Sequence, residues 1–340
     1  MPAPDAVTTP DAVDASRLLA GPRGRSLCWA VVVDAVPEAS VALHTATTDP
    51  ARTGDVVDAL RRVGAVDATH ARLSRALAAA VDDAMYWQPP DAGDAVLADP
   101  RVVAALEPVA RAVLAAPAAA WWSQPCATAS QVLTSYDDAA PTRPERALAA
   151  LDAWRATCTE EERRAGGRRR PVGGPWWSTP AFAGLARTTR RLPDGTAPGF
   201  DLVEDGFGWD AVTAYDVDVP AGARVLELTR PEDVVALVEA FPLEVTASRQ
   251  RDWCETTGRS GRWLMPDHRA VADVYDGVHL TVLGWAAAAG RALPVGEGTA
   301  TVLAGWDPDS TYWYTDDIAI CTPGERWHRD DTRWRRAGAR

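Results

Sequence analysis

Apolar residues in the first third of the chain recur mostly at the spacing of helices. The run at 27–33 (Leu-Cys-Trp-Ala-Val-Val-Val) is an exception, because it is continuous, short and rich in β-branched residues, so we expect a buried strand there. Apolar positions from 71 to 85 follow a helical period, and Asp99 with Pro100 forms an N-cap and first-turn pair for the next helix. The first part of the chain is therefore predicted to be mainly helical.

Short β-branched runs alternate with helical patterns in the second half of the chain. The predicted strands lie at 224–228, 277–282 and 299–304, and the predicted helices at 231–241 and 267–275. Alternation of short strands with helices predicts an α+β or α/β fold.

Changes in composition divide the chain into segments. From 136 to 175 the sequence is rich in Pro, Arg, Glu and Gly, with one predicted helix, and we place a domain boundary there. The expected segments are a flexible tail at 1–16, a mainly helical region at 17–135, the connection at 136–175, an α+β ligand-binding domain at 176–322 and a basic tail at 323–340.

Every basic position is arginine, since 35 residues are Lys or Arg and the sequence contains no Lys. A Schiff-base lysine, lysine-bound pyridoxal phosphate and a Walker-A lysine are therefore excluded. The net charge of −12 disfavours nucleic acid, because binding phosphates requires clustered cations. These exclusions leave a small-molecule ligand as the expected partner.

The five cysteines are scattered and show no Cys-x-x-Cys spacing. This usage is typical of reduced thiols and indicates no zinc site. The first 16 residues lack the basic and apolar regions of a signal peptide, and no apolar stretch reaches the roughly 20 residues that span a bilayer. We therefore expect a cytoplasmic protein without a membrane segment or a metal site.

Tryptophan is unusually frequent, with 15 Trp against 4 Phe and 6 Tyr. Trp beside Arg, as at Trp253 and Arg249, can stack on and pair with flat anionic ligands such as nucleotides. Trp176 and Ser178 belong to a Trp-Trp-Ser-Thr-Pro motif that echoes Trp-Trp-Ser-Gln-Pro at 121–125. The alternative, that these indoles only fill the core, stays open.

The segment 276–281 (Asp-Gly-Val-His-Leu-Thr) resembles the last block of the SGNH, or GDSL-type, hydrolases. In that family an Asp three residues before a His orients it as the general base, which implies these roles for Asp276 and His279. The family's early Gly-Asp-Ser and its Asn are absent here. Such a hydrolase would therefore need another nucleophile.

The segment 306–311 (Trp-Asp-Pro-Asp-Ser-Thr) resembles two known loops. One is the Asp-x-Asp-x-Thr nucleophile loop of haloacid-dehalogenase-type phosphatases, and the other is the start of an EF-hand calcium loop. The later Lys of the first family and the later Gly and Glu of the second are absent. Trp306, Asp307, Asp309 and Thr311 remain candidate ligand-site residues without either chemistry.

The order of residues in the second half is similar to that of ADP-ribosyltransferases, which bind NAD between short strands. That family uses an Arg on an early strand, then a Ser/Thr-x-Ser element, then a late acidic residue. This chain has Arg224, then Thr246-Ala247-Ser248-Arg249, then Glu297, Asp307 or Asp309. The resemblance implies NAD as the substrate and a carboxylate that stabilises the ribosyl cation.

Three functions remain open from the sequence. The first is a transferase acting on a nucleotide-like ligand such as NAD, with Trp253 or Trp306 stacked on its ring. The second is a hydrolase that uses Asp276 and His279. The third is a non-catalytic binding protein with an aromatic groove. All three predict a ligand cleft within 176–322.

Overall fold

The computed structural model describes residues 13–64, 66, 68–136, 146–168, 173–331 and 333–338. Helices and short strands share these residues, and the α+β class expected from the sequence is confirmed. Most of the expected flexible tail at 1–16 and part of the connection at 136–175 lie outside the described residues.

The helices precede most of the strands along the chain. They are α1 (Ala15–Ala20), α2 (Pro22–Ala35), α3 (Glu38–Thr48), α4 (Thr53–Arg61), α5 (His70–Asp82), α6 (Ala92–Leu97), α7 (Pro100–Ala115), α8 (Ala147–Gly166), α9 (Pro231–Ala240), α10 (Thr246–Thr257), α11 (His268–Val271) and α12 (Val282–Ala288). Helix α1 begins within the expected tail, and α8 occupies much of the expected connection.

Local capping chemistry sets several helix ends where the sequence predicted them. The Asp99 carboxylate accepts from the backbone N–H of Arg101 at the start of α7, and Pro100 occupies the first turn. The Asp267 carboxylate accepts from the backbone N–H of Ala270 in the same way at the start of α11. The predicted starts of both helices are confirmed, although α11 ends at Val271 and is shorter than predicted.

The apolar run at 27–33 is helical, and the predicted strand is wrong. The run lies inside α2, which is buried on most of its surface, so its sequence shows no polar face to mark the helical period. Even its polar residues are buried with partners: the Ser26 hydroxyl donates to the Asp83 carboxylate at 3.0 Å, and the Arg23 guanidinium donates to the Ala80 carbonyl at 3.2 Å.

The strands are short. They are β1 (Gln131–Ser135), β2 (Arg187–Arg190), β3 (Ala211–Asp218), β4 (Val225–Leu228), β5 (Pro242–Glu244), β6 (Arg262–Pro266), β7 (Gly277–Leu280), β8 (Ala292–Pro294), β9 (Thr299–Val302), β10 (Ser310–Trp313), β11 (Ala319–Ile320), β12 (Glu325–Asp330) and β13 (Arg333–Arg336). The three strands predicted at 224–228, 277–282 and 299–304 correspond to β4, β7 and β9.

The larger sheet has the strand order β13-β12-β3-β1-β2-β10-β7-β4, with β11 also paired to β3. Its pairs are antiparallel except β4 with β7. Strand β1 comes from the region predicted to be helical, yet it lies between β2 and β3. A smaller sheet has the order β5-β6-β9-β8.

The basic segment at 323–340, expected as a tail, contributes a hairpin to the larger sheet. Strand β12 pairs with β3 and with β13. Trp327 packs edge to face on Phe200 with ring centroids 5.5 Å apart, which anchors the hairpin. Several of its arginines pair with acids, as Arg335 does with Asp330 at 2.9 Å and Arg336 with Glu325 at 2.6 Å.

One hydrophobic cluster joins the N-terminal helices to the C-terminal half. It contains Leu27 of α2, Leu106 of α7, Trp285 of α12 and Val302 of β9. Among the described residues no single helix is long and apolar enough to cross a membrane, and one pair bent by 85°, Pro100–Ala115 with Pro117–Ser123, reaches that length and composition together.

Candidate functional site

A half-open cavity of about 490 Å³ lies beside the pair of strands β2 and β10. We call it the acidic cavity, because one basic and three acidic residues are among the described residues that line it. The charged residues of this lining are Arg187, Glu204, Asp205 and Asp307, and its aromatic residues include Trp177 and Phe182.

The pairing of β2 with β10 positions the residues at the floor of the acidic cavity. Arg187 of β2 lies directly opposite Tyr312 of β10, and the Arg187 guanidinium contacts the Asp307 carboxylate at 2.5 Å. Burial lowers the pKa of Arg187, but Asp307, Tyr312 and Tyr136 together raise it by more, so the pKa is raised overall. Arg187 is therefore charged, and its charge is balanced by Asp307.

Behind this ion pair, Glu204 is buried and receives three hydrogen bonds. The Tyr86 hydroxyl and the Trp285 indole donate to its Oε1 at 2.7 and 2.6 Å, and the backbone N–H of Trp306 donates to its Oε2 at 3.0 Å. Burial nevertheless raises the pKa of Glu204 to about 8. Its own backbone N–H donates to Asp307 at 2.9 Å, which links the two carboxyls.

The rim of the acidic cavity carries exposed groups. Phe182 is 87% exposed and lies edge-on to Trp177, with ring centroids 4.9 Å apart. Trp177 can occupy this place because residue 305 is glycine, since a Cβ there would lie 2.4 Å from the Trp177 ring. Asp205 is exposed, and Phe182 and Asp205 have positive φ angles of 62° and 59°.

Of the residues predicted from the sequence, Trp176 and Asp307 line the acidic cavity. Trp306 is 1% exposed, and its backbone N–H binds Glu204. Ser178 is buried and exchanges hydrogen bonds with the backbone of Ala304, so it fixes the Trp-Trp-Ser segment to the end of β9. Trp306 and Ser178 thus do not line the cavity, but bind residues that line it or lie next to its lining.

His279 belongs to a separate buried ionic cluster. Its Nδ1 lies 2.6 Å from Glu227 and its Nε2 lies 3.5 Å from Asp309. Burial lowers the pKa of His279, but hydrogen bonds to Asp309 and Glu227 raise it, and the net shift is upward. Asp309 also accepts from the Arg190 side chain at 2.6 Å. Both ring nitrogens face carboxylates, which favours the charged imidazolium.

Asp276 does not orient His279, contrary to the expectation from the hydrolase resemblance. Asp276 lies just before β7, where its carboxylate binds the Arg224 side chain at 3.0 Å and the Arg224 backbone N–H at 2.7 Å. Arg224 itself is on the surface, with its side chain 58% exposed, and lies outside the lining of the acidic cavity. Thr311 is buried and faces Cys126, with 3.4 Å between Oγ1 and Sγ.

The predicted residues of α10 all bind other parts of the protein. Ser248 binds Glu162 through its backbone N–H and its hydroxyl, both at 2.8 Å, so a side chain of α8 caps α10. Trp253 is fully buried and donates to the Trp176 carbonyl at 2.8 Å, and so it cannot stack on a ligand. Arg249 is 3% exposed and pairs with Glu161 at 3.1 Å beside a second cavity.

Arg187, Glu204, Asp205 and Phe182 were missed by the sequence analysis. Arg187 lies in a polar strand whose place opposite β10 depends on distant pairing, and Glu204 becomes special only through burial. The sequence did contain one usable signal, since Asp205 precedes Gly206 and Asp-Gly is typical of tight turns.

Among the residues that the structure describes, no group of three or more His, Cys, Asp or Glu side chains could hold a metal ion. Comparison with protein-family models, curated proteins and solved structures gives no match. The function is therefore argued from the geometry of the acidic cavity.

Proposed function

We propose that the protein binds a small organic cation with a flat ring in the acidic cavity. The charge balance of the lining carries this proposal. Arg187 is neutralised by Asp307, while Asp205 has no cationic partner among the described residues. A monovalent cation near Asp205 would balance the remaining negative charge.

The aromatic side chains of the rim support a flat cation. Trp177 and Phe182 present ring surface at the mouth of the cavity, and a cation over such a ring gains about 0.5 to 2 kcal/mol depending on how far it is desolvated. A ligand there would also cover Phe182, which is 87% exposed. A volume near 490 Å³ is in the range of small-molecule sites.

A matched pair of ligands tests the proposal. 1-Methylnicotinamide is a pyridinium cation, and nicotinamide is its neutral counterpart with the same ring and amide. Isothermal titration calorimetry should show the cation binding about tenfold more tightly or better, since about 1.4 kcal/mol separates tenfold affinities and ring and carboxylate both contribute. Equal affinity for the two compounds would contradict a cation site.

A transferase acting on NAD is the second candidate, and the presence of Asp307 in the lining favours it. The nicotinamide ring of NAD is cationic, so it would occupy the same place beside Trp177. In the reaction the ribose C1′–N bond breaks, its electron pair leaves with nicotinamide, and an acceptor nucleophile bonds to C1′ and loses its proton. A nearby carboxylate would stabilise the ribosyl cation.

A transferase would release nicotinamide from NAD, whereas a binding protein would leave NAD intact. Incubation with NAD should release nicotinamide, which chromatography measures, and Asp307→Asn should abolish the release. ADP-ribose, which lacks the pyridinium ring, should bind more weakly than NAD. Binding of NAD without release of nicotinamide would leave a binding function and exclude this reaction.

A further inference from the structure

A second cavity of about 510 Å³ adjoins the acidic cavity. The two share four lining residues, Trp177, Thr179, Ala181 and Phe182. The rest of its wall includes one face of α8, and we call it the apolar cavity because of its alanine, proline and tryptophan side chains. Its lining includes Ala153, Cys158, Glu161 and Arg249.

The apolar cavity carries no net charge among its described lining residues. Its two ionised groups, Glu161 and Arg249, form an ion pair at 3.1 Å. Burial raises the pKa of the Cys158 thiol to about 11, so the thiol is neutral at physiological pH. An uncharged part of a ligand therefore suits this cavity, in contrast to the acidic cavity beside it.

Phe182 lies at the junction of the two cavities in an unfavourable backbone conformation. Its φ of 62° is rare for a bulky residue, and the surrounding structure must hold the backbone in this strained conformation. The ring is nevertheless exposed and packed edge-on against Trp177. Strain of this kind at a shared wall is typical of residues held in place for a ligand.

We propose that the two cavities form one bipartite site, and that its ligand is an organic cation carrying an uncharged apolar arm. The cationic ring lies in the acidic cavity against Asp205, and the arm passes Phe182 and Trp177 into the apolar cavity. This inference rests on the proposed function, because it extends the same ligand from one cavity into the next.

A homologous series of ligands tests the inference by calorimetry. The 1-methyl, 1-butyl and 1-hexyl derivatives of nicotinamide carry the same cation with arms of increasing length. Each methylene that leaves water for an apolar wall should raise the affinity by about fourfold, until the arm fills the cavity. Affinities that do not change along the series would overturn the bipartite site while leaving the cation site intact.

Two variants of α8 control for folding and for unspecific effects of bulk. Ala153 lines the apolar cavity and is exposed, so Ala153→Trp should obstruct the cavity without disturbing the core. Ala156 is exposed on the same helix and lies outside that lining, so Ala156→Trp is the matched control. Both variants should keep the melting temperature of the parent protein.

Ala153→Trp should remove the dependence of affinity on arm length and leave binding of the 1-methyl compound unchanged, while Ala156→Trp behaves as the parent. If 1-hexylnicotinamide and neutral N-hexylnicotinamide bind equally and the 1-methyl compound does not bind, the cation site is refuted and the apolar cavity acts alone. If no compound binds, both proposals are refuted.

Discussion

Glu204 gives the sharpest prediction about stability. Its carboxyl is buried against the Tyr86 hydroxyl, the Trp285 indole and the backbone N–H of Trp306, and burial raises its pKa to about 8 from an ordinary value of 4.5. Replacing it with Gln keeps the size and one acceptor oxygen but removes the titration. The pH dependence of unfolding then isolates what this one group contributes.

Proton linkage gives the direction in which the free energy of unfolding changes with pH. A carboxyl whose pKa is raised by folding binds its proton more tightly in the folded protein than in the unfolded chain. The stability it contributes is complete below pH 4.5 and is lost as the pH rises through 8. Between pH 5.5 and pH 9 the loss attributable to Glu204 is about 3 kcal/mol.

Urea unfolding at a series of pH values measures this effect. The parent protein should lose stability from pH 5.5 to pH 9, and Glu204→Gln should lose about 3 kcal/mol less over the same interval. Glu107→Gln, at an exposed residue of α7 paired with Arg111, should follow the parent curve. Identical slopes for the parent and Glu204→Gln would refute the assignment of a raised pKa to this carboxyl.

Three other substitutions test the remaining assignments. Asp309→Asn should lower the free energy of unfolding by about 3 to 5 kcal/mol in urea, because Arg190 and His279 lose a buried counter-charge, and a loss below 1 kcal/mol would contradict that role. Phe182→Gly should weaken 1-methylnicotinamide about tenfold in calorimetry without lowering the melting temperature, since glycine accepts the positive φ; unchanged affinity would exclude the ring from the site. Arg224→Ala should change neither binding nor melting temperature, and a loss of binding at an unchanged melting temperature would place Arg224 in the site after all.

Local signals in the sequence were sufficient for parts of the fold. Asp99 and Pro100 start α7 as expected, because capping depends on adjacent residues. The strand signal at 27–33 failed because α2 is buried on most sides and a continuous apolar run fits either structure. The hairpin of β12 and β13 was missed because arginine dominates its sequence and its pairing to β3 is long-range.

The candidate site was only partly predictable for the same reason. Asp307 and Trp176 were found because each lies in a distinctive motif, whereas Arg187 and Asp205 join the cavity through distant strand and loop packing. Asp276 and His279 do not pair, because the Asp276 carboxylate binds Arg224 while the His279 ring lies between Glu227 and Asp309.

The most direct test of the cation site is the affinity of Asp205→Asn for 1-methylnicotinamide. Asn tolerates the positive φ of this position and removes only the charge. Calorimetry should show the affinity for the cation falling about twofold to fivefold, with the weak affinity for neutral nicotinamide unchanged. An unchanged affinity for the cation, or an equal loss for both compounds, would contradict the claim that Asp205 supplies the charge the ligand recognises.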